Sequence, residues 1–215
     1  MIVYGASASP FVRKVLAYGA EKGIALELKN TGLGAKDPEF IEASPFGKMP
    51  GFRDGDFAIS DSSAIITYLE ALHPDPNLIP TEPKARSRTI WYDEFADTIM
   101  VGAMGKIFFN RVVAPKVLKI PGDEAMAHAA ETKEVPPILD YIERILPASG
   151  WFVEDRLTLA DIAIASPFVN MLHVGLLPKA EKHPKLVAFI EKMHARPSFA
   201  GWIERERKFF GRSAI

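Results

Sequence analysis

The feature that most constrains the fold is a proline-rich segment that separates two kinds of sequence pattern. The stretch HPDPNLIPTEP, residues 73–83, holds four prolines in eleven residues. Proline lacks a backbone N–H and clashes with the preceding helical turn, so a regular helix does not continue through this segment. Strand patterns occur only before it, and long helical patterns only after it. The chain is therefore predicted to form two domains, 1–76 and 87–215, joined by a linker at 77–86.

The first domain is predicted to have an α/β fold with the element order β-α-β-α-β-β-α. A helix joins the strands at 2–4 and 25–28, so these strands should pair in parallel through a right-handed crossover. Residues 50–59 read as a hairpin with Asp54 and Gly55 at its turn, which makes the last two strands antiparallel. The predicted helices cover 10–22, 37–43 and 61–72. Together these elements form a small mixed sheet flanked by helices.

The second domain is predicted to be an all-α bundle. Apolar spacing indicates helices over 84–113, 123–146, 159–173, 183–194 and 198–210. Thr158 and Asp161 have the spacing of a capping box, and Leu157 and Ile162 are placed as a hydrophobic staple. We interpret this motif as a folding signal for a buried helix.

Composition argues against several kinds of site and partner. The formal net charge is −1 and no block of like charges is present, so no nucleic-acid partner and no membrane partner are predicted. There are no cysteines, which removes disulfides, thiolate metal ligands and a cysteine nucleophile. The five histidines form no HxxxH pair, and no metal site is predicted. The N-terminus lacks the pattern of a signal peptide, which predicts a cytoplasmic protein.

Ser9 and Pro10 are the first candidate for a binding site. Serine is a favoured N-cap and proline is favoured at the first helical position, so a purely structural role explains them when they are taken alone. A helix start also presents N–H groups to an anion, and a ligand thiolate is the candidate that a nearby hydroxyl would stabilise. Ser7 lies in the same loop.

Two further segments carry groups that suit a peptide-like ligand. A trans bond between Met49 and Pro50 is the simple expectation, whereas a cis bond would present the Met49 backbone to an extended peptide. Asp61, Ser62 and Ser63 are each candidates for a helix N-cap. The same groups suit the carboxylate and ammonium of an amino-acid-like ligand.

The order and spacing of these segments resemble those of a cytosolic glutathione transferase along the whole chain. The matching stretches are GASASPFVRKV, KDPEFIEASPFGKMPGF, ISDSSAIITYLE, the proline-rich linker and LTLADIAIA. The start at SPF is most similar to the serine-type classes, the phi and tau transferases and their bacterial relatives. The resemblance implies a thioredoxin-like N-terminal domain that binds glutathione and a helical domain that forms most of the electrophile pocket.

The resemblance also implies roles for single residues. Ser9 matches the catalytic serine that hydrogen-bonds the glutathione sulfur, and Ser7 is the second candidate. Lys36 is implied to contact the glycine carboxylate of glutathione. Lys48 and Met49 match the residues before a cis Pro50, and the Met49 backbone would pair with the cysteinyl unit. Asp61 and Ser62 match the pair that holds the γ-glutamyl end. Two positions depart from the family pattern: Asp61 stands where many relatives have glutamate, and Ala35 precedes the lysine.

The predicted lining of the electrophile pocket is Phe11, Met104, Phe108 and Trp202. Apolar residues at helical spacing more often form a bundle core or a dimer interface. The resemblance nevertheless places part of the pocket on the helix at 84–113, and methionine suits an adaptable apolar surface. Such a lining predicts a hydrophobic, aromatic electrophile. The resemblance further implies a homodimer and a role in detoxification.

The leading hypothesis is a glutathione transferase in which Ser9 and the helix start lower the pKa of the glutathione thiol. One alternative is a non-catalytic ligand-binding or interaction protein of the same fold. Another is a glutathione-dependent disulfide reductase or peroxidase. Because the chain has no cysteine, it forms no mixed disulfide itself, and redox chemistry would use two glutathione molecules.

Overall fold

The computed structural model describes residues 1–211, which divide into two compact units. The first unit spans Met1–Ile79 and the second begins at Pro80. Residues 212–215, which belong to the predicted second domain, lie outside the described residues. The predicted linker boundaries, 77 and 86, stay a prediction.

The first unit is built on a four-stranded mixed sheet with the strand order β2-β1-β3-β4. The strands are β1 (Ile2–Gly5), β2 (Glu27–Asn30), β3 (Gly51–Asp54) and β4 (Phe57–Ser60), and the helices are α1 (Pro10–Glu21), α2 (Pro38–Ala43) and α3 (Ser62–Leu72). β1 pairs with β2 in parallel, and β3 pairs antiparallel with both β1 and β4. The predicted element order and strand directions are confirmed.

Two details of the predicted strands were wrong. The second strand lies two residues later than 25–28, because Leu26 packs against Gly19 of α1, where an added Cβ would lie 2.4 Å from Leu26 Cδ1. The hairpin turn consists of Gly55 and Asp56, since Asp54 already pairs with Phe57 in the ladder. Gly55 has a φ of +59°, a conformation that glycine adopts without a steric cost.

The second unit is helical. Its helices are α4 (Pro83–Glu94), α5 (Val101–Phe108), α6 (Glu124–Ala129), α7 (Val135–Ile145), α8 (Leu159–His173), α9 (Pro184–His194) and α10 (Pro197–Phe210). The predicted all-α second domain is confirmed. Among the helices of residues 1–211, none combines the length and apolar character that crossing a membrane requires.

The helix predicted over 84–113 is longer than expected and is not uniformly α-helical. π-helical segments at Phe95–Met100 and Phe109–Leu118 connect with α4 and α5, so the helix continues from Pro83 to Leu118. A third segment, Ala130–Glu134, joins α6 to α7. In such turns the N–H bonds to the carbonyl five residues back, and apolar periodicity alone does not reveal this wider turn. Pro115 lies inside the second segment.

The predicted capping box at the start of α8 is confirmed. The Asp161 carboxylate accepts hydrogen bonds from the backbone N–H and the hydroxyl of Thr158, at 2.8 and 3.0 Å, and from the backbone N–H of Phe152 at 3.0 Å. Asp161 is fully buried. Burial raises the pKa of Asp161 to about 6, and the hydrogen bonds from Phe152 and Thr158 oppose that rise.

Replacing Asp161 by alanine should lower the free energy of unfolding by about 1–3 kcal/mol, because buried N–H groups lose their acceptor. Denaturant unfolding at about pH 8, where the carboxylate is ionised, measures this loss. The matched control is Asp123→Ala at the start of α6, where an exposed carboxylate accepts from the backbone N–H of Met126 at 2.9 Å and water can replace it. Equal losses in the two variants would contradict the role of burial at Asp161.

Candidate functional site

The predicted glutathione-binding segments of the first unit all emerge from one edge of its sheet. In the strand ladder Tyr4 pairs with Gly51, and Gly51 pairs with Ser60. The carbonyl of Gly5 accepts a hydrogen bond from the backbone N–H of Thr31 at 3.1 Å. The ends of β1, β2 and β4 and the start of β3 therefore lie side by side. That edge therefore brings together the four segments that follow or precede these strands: 6–9, 31–37, 48–50 and 61–63.

Ser9 occupies the N-cap position of α1, but its hydroxyl makes no capping hydrogen bond. Its backbone N–H donates to the carbonyl of Ala6 at 2.9 Å, and its carbonyl accepts from Arg13 at 3.0 Å. Pro10 supplies the first helical residue. Within residues 1–211 the Ser9 hydroxyl has no hydrogen-bond partner. The capping interpretation is thus correct for the backbone of Ser9 and wrong for its side chain.

Ser7 is the second candidate hydroxyl in this loop. It is 8% exposed, whereas Ser9 is half-buried. In the part of the chain that the structure describes, the Ser7 hydroxyl also lacks a hydrogen-bond partner. The structure therefore leaves both hydroxyls open to a ligand, and the greater exposure of Ser9 favours it.

The peptide bond between Met49 and Pro50 is cis. The preceding loop is held by the Ser44 hydroxyl, which donates to the carbonyl of Lys48 at 2.5 Å. This loop approaches the end of β1 closely, since a Cβ at Gly5 would lie 3.2 Å from the Met49 Cβ. No described residue bonds to the N–H or C=O of Met49. Both groups are thus available to an extended peptide. The cis alternative from the sequence is therefore the one observed, and the trans expectation was wrong.

Asp61 is the N-cap of α3, which decides between the three candidates at this helix start. Its Oδ1 accepts from the backbone N–H groups of Ser63 and Ala64, both at 3.0 Å. Asp61 has a φ of +83°, a strained conformation for a residue with a side chain. Ser62 at the first helical position is 2% exposed. The Lys14 ammonium donates to the Ser63 hydroxyl at 3.3 Å and ties α1 to this helix start.

Two exposed lysines flank the same edge of the sheet. Lys36 lies in the loop between β2 and α2, one residue before Asp37, whose carboxylate caps α2 through Glu39 and Phe40. Lys48 precedes the cis peptide bond. Neither ammonium has a partner among the described residues. Both charges are therefore free to attract an anionic ligand.

The predicted electrophile residues are divided between the two units. Phe11 is half-buried on α1 of the first unit. Met104 and Phe108 lie one turn apart on α5 and are 1% and 5% exposed. Trp202 on α10 is half-buried beneath the guanidinium of Arg205, 5.6 Å from the ring centroid. No ring contact joins Trp202 to Phe108 within residues 1–211.

A polar pair, His173 and Glu206, lies next to Phe108 and was not predicted from the sequence. Phe108 packs against His173 and Phe210, with ring centroids 6.5 and 5.8 Å apart. His173 in turn bonds to Glu206, which is 33 residues away in the sequence. No local motif links such distant residues, so the sequence held no signal for the pair.

Comparisons with known proteins point to one family over both units. The model for the N-terminal domain of glutathione S-transferases matches residues 3–77, and the model for their C-terminal domain matches residues 116–206. Glutathione S-transferase F10 of Arabidopsis thaliana is 30% identical over 197 residues, which cover 88% of this chain and 88% of that protein.

Solved structures agree with these matches. A glutathione S-transferase from Rhodospirillum rubrum F11 has a TM-score of 0.85 at 25% identity, over 94% of this chain and 90% of that chain. A glutathione S-transferase from Methylobacterium radiotolerans, in complex with glutathione sulfonate, has a TM-score of 0.76 at 28% identity, over 94% and 93% of the two chains. The predicted architecture of a thioredoxin-like domain followed by a helical domain is confirmed.

Proposed function

The chain belongs to the glutathione S-transferase family, and we propose that it activates the glutathione thiol for attack on a hydrophobic, aromatic electrophile. Its named relatives are transferases, and the chain is an enzyme of that kind. The observation that carries the proposal is the hydroxyl of Ser9, which stands at the start of α1 without a hydrogen-bond partner in residues 1–211.

The start of α1 suits a thiolate better than a thiol. Backbone N–H groups in the first turn and the helix dipole favour negative charge there. A hydrogen bond to a charged group contributes about 1.5–3 kcal/mol. Since one pKa unit corresponds to about 1.4 kcal/mol, a bond from Ser9 lowers a thiol pKa of about 8.5 by about one to two units. Glutathione bound there then has a thiol pKa of about 6.5–7.5, so about one quarter to three quarters of it is thiolate at pH 7.

The remaining segments of this edge suit the rest of an anionic, extended tripeptide. The N–H and C=O of Met49 pair with the cysteinyl unit in the manner of an added strand. The start of α3 at Ser62 receives the γ-glutamyl carboxylate, and Asp61 Oδ2, which bonds to no described residue, receives the ammonium. Lys36 and Lys48 attract the remaining negative charge. The glutathione sulfonate complex of the Methylobacterium relative supports this class of ligand.

In the proposed reaction, the glutathione sulfur forms a bond to the electrophilic carbon. With an aryl halide the carbon–halogen bond breaks, and the halide leaves with the bonding electron pair. The thiol proton has already passed to solvent, so the charges balance. The protein forms no covalent bond to either substrate, and it accelerates the reaction by stabilising the thiolate and by holding both reactants together.

Thermal unfolding with and without glutathione, followed by a panel of electrophiles and hydroperoxides, tests the proposal. Glutathione at 100 times its dissociation constant should stabilise the protein by about 2.7 kcal/mol. We expect this shift together with conjugation of aryl halides. Absence of a shift at millimolar glutathione would favour the non-catalytic binding protein, and turnover of hydroperoxides alone would favour the peroxidase.

We also propose that the protein forms a homodimer. Phe46, in the loop between α2 and β3, is 90% exposed, the largest exposed fraction among the large apolar side chains of residues 1–211. Burial of this ring against a second copy of the chain would remove its apolar surface from water. Replacing Phe46 by serine should therefore shift the protein from dimer to monomer in sedimentation at micromolar concentration. The control is Phe209→Ser, which removes another exposed ring, 71% exposed, in the second unit. A dimer that survives Phe46→Ser unchanged would contradict this role.

A further inference from the structure

A buried histidine–glutamate pair in the second unit is not among the residues that we propose to activate the thiol. His173 ends α8 and Glu206 lies on α10, and their Nε2 and Oε2 atoms are 2.8 Å apart. The two side chains are 1% and 3% exposed. Burial of such a pair costs desolvation free energy, and apolar side chains of similar size would often join two helices as well. Stability alone therefore does not explain the pair.

Two aromatic rings pack against the imidazole of this pair. Phe108 on α5 and Phe210 on α10 lie 6.5 and 5.5 Å from the His173 ring, measured between centroids. The two phenylalanines also meet each other edge to face, 5.8 Å apart at 84°. The three rings thus contact one another pairwise. Because Glu206 holds the imidazole in one orientation, it also limits the orientations open to both phenyl rings.

We infer that the His173–Glu206 pair positions Phe108 in the electrophile site and thereby favours flat aromatic electrophiles over small aliphatic ones. The inference rests on the proposed function and on the prediction from the sequence that Phe108 lines the electrophile pocket. A ring held in one orientation stacks well with a flat substrate, whereas a small alkyl group gains little from that orientation. The pair acts through Phe108, so both of its members are positioning residues.

The second unit also contains a matched control pair. His183 Nε2 lies 2.7 Å from Asp140 Oδ1, and the His183 side chain is 6% exposed. Within residues 1–211, no aromatic ring packs against His183. Its replacement therefore removes the same kind of hydrogen bond from the same unit without disturbing Phe108.

The test compares KM for chlorodinitrobenzene, a flat aryl halide, with KM for iodoethane, both at saturating glutathione. His173→Leu should raise KM for chlorodinitrobenzene about tenfold and should leave KM for iodoethane and for glutathione within about twofold. His183→Leu should leave all three values within about twofold. Equal increases for both electrophiles, or no increase for either, would overturn the inference.

A second pair of variants keeps the test decisive if His173→Leu does not fold. Glu206→Gln retains an acceptor for a neutral imidazole and should keep the wild-type selectivity, whereas Glu206→Leu should lose it. In a Phe108→Leu background, Glu206→Leu should have no further effect on selectivity, because its effect passes through that ring.

The wild-type protein separates failure of this inference from failure of the proposed function. Wild-type conjugation with unchanged selectivity in the variants overturns the positioning role alone. A wild-type protein that conjugates neither electrophile overturns the proposed function, and this inference with it.

Discussion

Replacing Ser9 by alanine should lower kcat for conjugation of chlorodinitrobenzene by about 10- to 100-fold, because the thiolate loses a hydrogen bond worth about 1.5–3 kcal/mol. KM for glutathione should change by less than about threefold, since Met49, Asp61 and the flanking lysines still hold the tripeptide. Steady-state kinetics with each substrate varied in turn measures both values. The melting temperature should not change, because the Ser9 hydroxyl makes no capping hydrogen bond.

Two further serine variants complete this experiment. Ser87→Ala, at an exposed position on α4, serves as the control for serine loss in general. Ser7→Ala tests the competing hydroxyl of the same loop. Full activity in Ser9→Ala combined with a large loss in Ser7→Ala would transfer the role to Ser7. Full activity in both variants would show that neither serine hydroxyl stabilises the glutathione thiolate.

Replacing Glu70 by alanine should lower the free energy of unfolding by about 3–5 kcal/mol, the typical cost of removing one member of a buried ion pair. The Lys22 ammonium then keeps a neutral acceptor, the Pro76 carbonyl 2.6 Å away, in place of the carboxylate. Glu70 on α3 accepts hydrogen bonds from the Tyr18 hydroxyl and from the Lys22 ammonium of α1. The Lys22 side chain is fully buried, and its ammonium lies 2.5 Å from the carboxylate. The other carboxylate oxygen accepts from the backbone N–H groups of Leu78 and Ile79, at 3.0 and 3.2 Å. One side chain therefore joins α1, α3 and the last segment of the first unit.

Denaturant unfolding of Glu70→Ala measures this loss, and Glu204→Ala provides the control. Glu204 forms an exposed pair with Lys208 one turn away, 2.7 Å between charged atoms, and water screens that pair strongly. The control variant should unfold at nearly the wild-type denaturant concentration. A loss in Glu70→Ala as small as in the control would show that the carboxylate does not organise the first unit.

Local patterns predicted the elements of the fold well where periodicity and caps agree. α8 has the predicted bounds, because a capping box and an unbroken apolar pattern mark the same start. The second strand was shifted, because Leu26 has the apolar character of a strand residue but serves the packing of α1. The π-helical segments around α5 were not predicted, because no residue type or spacing indicates that an N–H bonds to the carbonyl five residues earlier instead of four.

In the candidate site, too, features set by neighbouring residues were predicted from the sequence, whereas contacts between distant residues were not. Sequence placed Ser9 and Asp61 at helix starts, but only the structure shows that the aspartate caps with its side chain and the serine does not. The cis bond before Pro50 was one of two alternatives, and sequence alone favoured the other. Glu70 and the His173–Glu206 pair depend on partners far along the chain, so no spacing rule finds them.

The pKa of the glutathione thiol bound to the protein tests the central claim most directly. Ultraviolet absorbance of the thiolate, followed against pH for the wild-type complex and for the Ser9→Ala complex, reports this value. We predict a bound-thiol pKa about one to two units below the free value of about 8.5 in the wild-type protein, and a return toward the free value in Ser9→Ala. A wild-type complex whose thiol titrates at the free value would contradict thiolate stabilisation at the start of α1.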